Sequence, residues 1–148
     1  MNTEQADTNY LSHTRIKTGL ITTLVGLFVF TMGAKPEWYG VDRSPIVGFV
    51  QIAVFLVGLA IICVGGYIGI NALWGNDERS IAADIGLRLV ATGYVLAVFT
   101  GMADVFGMGT QPLPGVPFFG PLQSVGVEIG QGLILFGFLI TIPRKKKD

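Results

Sequence analysis

Apolar residues in this chain neither alternate nor recur at amphipathic spacing. They run on in four long blocks, residues 18–34, 46–74, 81–107 and 122–142, interrupted by few charges. A run of about 18 or more apolar residues is long enough to cross a bilayer as a helix. The pattern therefore predicts an all-α integral membrane protein, a four-helix bundle. At about 1.5 Å per residue the second block exceeds a hydrocarbon core about 30 Å thick, which predicts tilt or projection into the headgroups.

Polar stretches separate the blocks. Residues 1–17 form a polar N-terminal segment, expected to be disordered or to lie on the membrane surface. Lys35–Pro45 reads as a loop and Asn76–Ser80 as a tight turn. Met108–Pro121 is rich in Gly and Pro and lacks Lys and Arg. Residues 143–148 form a basic tail, Arg144-Lys145-Lys146-Lys147 following Pro143. Arg15 and Lys17 precede the first block. Met32-Gly33-Ala34, followed by Lys35-Pro36, is a poor cleavage site, so the block is expected to remain as a span.

Lys and Arg at the span ends predict the orientation. Arg15, Lys17, Arg79 and the four C-terminal cations share one side, and only Lys35 and Arg43 lie on the other. Both termini are expected in the cytoplasm, with the protein in a plasma membrane of the bacterial inner type. Trp38, Tyr39, Phe118 and Phe119 then fall at the outer interface and Trp74 at the inner one.

Composition narrows the chemistry. Charged residues are 14% of the 148, against about 25% in a soluble domain. Zero net charge offers no basic surface for nucleic acid. Cys63 is the only cysteine and reads as a small buried hydrophobe; no internal disulfide is available. His13 is the only histidine and lies in the polar segment. One chain therefore cannot supply two histidine ligands to a haem, nor a His/Cys zinc site. No cofactor, metal or catalytic constellation is expected, and the reading is not an enzyme.

Glycine carries a period. Gly19, Gly26 and Gly33 recur in span one, Gly58, Gly65 and Ala72 in span two, Gly86, Gly93, Thr100 and Gly107 in span three, and Gln123, Gly130 and Gly137 in span four. A seven-residue repeat keeps one stripe on one face of a left-handed supercoil, and small residues on it let backbones approach. The sequence thus predicts glycine-rich helix interfaces in a left-handed bundle. Gly65/Gly69 and Gly126/Gly130 also form GxxxG pairs, which could serve a dimer instead. A faint tandem repeat joins Met32–Pro36 with Met108–Pro112, each followed by two aromatics and a glycine: Trp38-Tyr39-Gly40 and Phe118-Phe119-Gly120. It suggests two hairpins of one design.

Four ionisable residues fall inside the blocks: Asp84, Arg88, Asp104 and Glu128. Each costs at least ~2.5 kcal/mol at a bilayer centre and needs a reason. Asp84 and Arg88, one helical turn apart, read as an inner interfacial pair. Asp104 and Glu128 fall at similar depth near the outer side. With Gln51 and Gln131 they make a candidate outer polar cluster, reachable by Lys35 or Arg43. Such a cluster either fixes helix register or forms an ion or proton site.

Two functions fit. The first is a structural, accessory or assembly subunit of a larger membrane complex, its partners being membrane lipids and other membrane subunits or further copies of itself. The alternative is a small oligomeric transporter or channel using Glu128 and Asp104.

Overall fold

The structure, a computed structural model, describes residues 3–40, 48–75, 77–108 and 119–143, with side chains from Ser12 onward. Four α-helices cover most of them: α1 Thr3–Ala34, α2 Phe49–Trp74, α3 Ile81–Gly101 and α4 Pro121–Thr141. A short 3-10 helix, Pro36–Tyr39, follows α1. No strand occurs among the described residues. Each helix holds a stretch long and apolar enough to cross a membrane, which makes the chain a multi-pass α-helical membrane protein. Arg43, Gly115, Phe118 and the basic tail lie outside the described residues.

Two helix ends differ from the sequence reading. α1 begins at Thr3 rather than at the first apolar block, so the polar segment is helical. No Gly or Pro interrupts residues 3–18. A helix nucleated by the span therefore extends upstream at the low cost of propagation. α3 stops at Gly101, short of the expected Gly107. Its 21 residues already cover about 30 Å, a full hydrocarbon core. Beyond it the chain turns tightly, with the Gly107 N–H donating to Asp104 O at 3.2 Å and Gly107 itself at a positive φ of 74°. Asp104 thus sits past the helix end rather than within the span.

The helices associate as two hairpins. α1 packs along α2, α3 packs along α4, and the hairpins meet far more sparingly, through α2. Among the described residues no other membrane helix packs extensively along α1. Individual glycines in each hairpin come close to the facing helix, and what they meet differs between the hairpins. Between α3 and α4 glycine faces glycine. A Cβ on Gly93 would lie 2.5 Å from the Gly130 carbonyl oxygen, and one on Gly130 would lie 2.6 Å from that of Gly93. Gly86 and Gly137 oppose each other in the same way, at 2.5 Å in both directions. Between α1 and α2 glycine on one helix mostly faces a larger residue on the other. Gly26 meets Ile62, Gly33 meets Phe55, Gly58 meets Phe30 and Gly65 meets Thr23. Gly19 is the exception, lying against both Gly69 and Gly65. Both GxxxG pairs are used up inside the hairpins, Gly126 lying against Thr100.

The joint between hairpins is side-chain packing. Leu56 and Leu59 of α2 meet Val90 and Ala97 of α3 and Ile134 of α4. The Phe138 ring fills the space above Gly66. Polar ties gather at one end, one across the joint and others within each hairpin. Trp74 Nε1 donates to Thr141 O at 2.9 Å. The Thr141 hydroxyl, 1% exposed, lies 2.7 Å from Gly137 O and 3.4 Å from Ala83 O. The Ser12 hydroxyl donates to Ala72 O at 3.3 Å, holding α1 to α2 at the same end.

Candidate functional site

The sparse contact between hairpins leaves a cleft near the connecting-loop end. It is walled by α1 and α4 and floored by α2, with a volume of about 330 Å³. Gln51, Glu128 and Gln131 all line it, with Ser124. Phe30, Phe55 and Phe119 supply aromatic wall, and Ile52 and Val127 most of the remainder.

Local structure places these groups. α4 starts sharply because Gly120 is extended at the N-cap (φ −78°, ψ 164°) and Pro121 follows with its φ already suited to a helix. Gln123 closes the end by accepting the Gly120 N–H at 2.7 Å, and only 9% of it is exposed. That start aligns Ser124, Glu128 and Gln131 at helical spacing along one side of α4. Glu128 lies seven residues beyond Pro121, about 10 Å along the helix. On α2, Gln51 enters near the N-terminus, a turn before Phe55. The Phe30 and Phe55 rings stack at a tilt of 39°, centroids 4.7 Å apart.

The polar groups differ in how they are satisfied. The Ser124 hydroxyl donates to Pro121 O at 2.8 Å, within its own helix. Glu128, Gln51 and Gln131 make no side-chain hydrogen bond or ion pair among the described residues. Glu128 is exposed, while both glutamines are half-buried. Lys35 follows Ala34, which lines the cleft, but it forms no ion pair with Glu128 among the described residues. Arg43, the other expected counter-ion, lies outside them.

Asp104 does not join this group. It lines a separate cavity of about 350 Å³ between the end of α3 and the start of α4, with Phe99, Met108 and Leu122. The two cavities share no lining residue. The early end of α3 is the cause: the turn carries Asp104 to the α3–α4 side, away from α2.

The inner pair also rearranges. Asp84, in the first turn of α3, lies 3.8 Å from Arg79 Nε rather than pairing with Arg88. Arg79 stands just before Ser80, whose hydroxyl oxygen caps the helix by accepting the Ala83 N–H at 3.2 Å. This puts the guanidinium beside the first turn. Both side chains of the pair are largely exposed, so the contact is weak. Arg88 is exposed and makes no ion pair among the described residues.

Cys63 is half-buried and packs against the core cluster between the hairpins. It lines a nearly all-apolar groove of about 410 Å³ between α2 and α3, with Tyr67, Leu87 and Tyr94. No His/Cys/Asp/Glu group among the described residues is arranged to hold a metal.

Compared with protein families, characterised proteins and solved structures, the chain matches none. Its class rests on its own geometry: four membrane-length helices in two hairpins, with a largely apolar cleft between them that carries a few polar side chains.

Proposed function

We propose that this protein is a structural, accessory or assembly subunit of a larger membrane complex. We place it in a plasma membrane of the bacterial inner type, with both termini cytoplasmic. One observation carries the reading: the helix arrangement is open. Among the described residues α1 packs chiefly on α2, and the contact between the hairpins is filled by Leu56, Leu59, Val90, Ala97 and Ile134. An open row offers broad helix faces to neighbours. The seven-residue glycine period adds that each hairpin is a left-handed pair held by backbone approach. The face left over is then available for other subunits.

A small oligomeric transporter is the second reading, favoured by the unpaired Glu128 carboxylate in a cleft. It loses the paired carboxylates it was built on, since Asp104 lines another cavity. Purification from native membranes in mild detergent separates the two. The accessory role expects a fixed set of other membrane subunits to co-purify. A homo-oligomer alone would overturn it in favour of the transporter.

A further inference from the structure

We infer that the cleft between α1, α2 and α4 is a binding site for a lipophilic organic cation, an amine or quaternary ammonium carrying an apolar or aromatic group. This goes beyond the accessory role and stands apart from it.

Charge is the first argument. Glu128 presents a carboxylate to the cleft, about 10 Å from the helix start, with no counter-ion or donor among the described residues. An anion at that depth favours a cationic occupant, because a neutral one would leave it unpaired. The walls give the second argument. Phe30, Phe55 and Phe119 bring three aromatic rings to one cavity, and ring faces attract cations. Gln51 and Gln131 add amide oxygens that can orient an N–H or polarised C–H group. The third argument excludes a bare metal ion. A hard cation wants six or more oxygen ligands, and one carboxylate with two amides amid phenylalanines does not supply them. Size and access agree. The volume of about 330 Å³ lies in the range of small-molecule sites. The cleft is open rather than enclosed, so a ligand of this size can enter it.

Benzyltrimethylammonium tests this, with neopentylbenzene as its uncharged isostere. Binding to the full chain is measured by equilibrium dialysis against matched detergent micelles. The expected result is saturable binding of the cation and none of the isostere. Glu128→Gln, which removes charge but no existing hydrogen bond, should weaken binding by about tenfold or more. Phe119→Leu should weaken it by a smaller factor, and Asp104→Asn, in the other cavity, should leave it unchanged. The proposal is overturned if the wild-type chain does not bind the cation. It is equally overturned if the isostere binds as well, or if Glu128→Gln binds like wild type while its melting temperature shows that it is folded.

Discussion

The indole N–H of Trp74, at the end of α2, donates to the backbone carbonyl of Thr141, at the end of α4, across 2.9 Å. This carbonyl belongs to a helix C-terminus, where no amide of the same helix remains to satisfy it. Trp74 therefore fills a vacancy in α4 and ties the hairpins together in one bond. Trp74→Phe keeps an aromatic ring and removes the donor. The expected cost is about 0.5–1.5 kcal/mol, read as a lower melting temperature in detergent. An unchanged melt would mean that the joint rests on packing and on the longer Tyr94 hydroxyl to Leu56 carbonyl bond.

Gly130 and Gly132 stand two residues apart on α4 with opposite surroundings. A Cβ at Gly130 would meet Gly93 O and Ala97, whereas one at Gly132 would meet nothing within 4 Å. Gly130→Leu should therefore force α3 and α4 apart and cost about 3 kcal/mol or more. Gly132→Leu should leave the melting temperature of the isolated chain near wild type. Equal sensitivity at the two positions would contradict the α3–α4 register.

Gly19 and Gly69 oppose each other, yet they should not respond alike. A Cβ at Gly19 would lie 2.5 Å from the Gly69 backbone nitrogen, but one at Gly69 would find its nearest neighbour at 3.9 Å. Gly19→Ala should destabilise. Gly69→Ala should be neutral, or should stabilise by up to about 1 kcal/mol through helix propensity. Thermal melts of the two variants, side by side, read the tilt of α1 on α2.

The Glu128 side chain makes no hydrogen bond among the described residues, so its removal should not cost the fold. Glu128→Leu is expected to melt within about 0.5 kcal/mol of wild type. A large loss of stability would show that the carboxylate is structural.

The proposed orientation has its own check. A reporter active only outside the cytoplasm should be silent after Asp148 and active when inserted near Gly115. The Lys and Arg bias at the span ends predicts this pattern, and the reverse pattern would invert the topology.

Continuous apolar blocks made the four helices legible, because spanning length is a one-dimensional property. Glu128, Gln51 and Gln131 line one cleft, and their similar depth can be counted in residues from a helix end. The pairing of helices was not legible. A seven-residue glycine period shows that a face is small without saying what faces it, and it cannot separate the Gly93–Gly130 contact from the Gly26–Ile62 kind. Asp104 was misplaced because Met102–Gly107 is apolar enough to continue a helix on paper. Only the length of α3 against the membrane shows that it need not. Arg79 was overlooked as a partner of Asp84 because intrahelical spacing drew attention to Arg88.

Each hairpin closes on itself through backbone contacts that its own two helices provide, and α1 never needs α3 or α4. The α1–α2 pair can therefore be complete while the ribosome is still making the second half. The last step of assembly is then a docking of two finished parts. Severing the chain between Gly75 and Arg79, which leaves the Ser80 cap on α3, should give fragments that find each other again in the bilayer, since the helix contacts of neither hairpin run through that link.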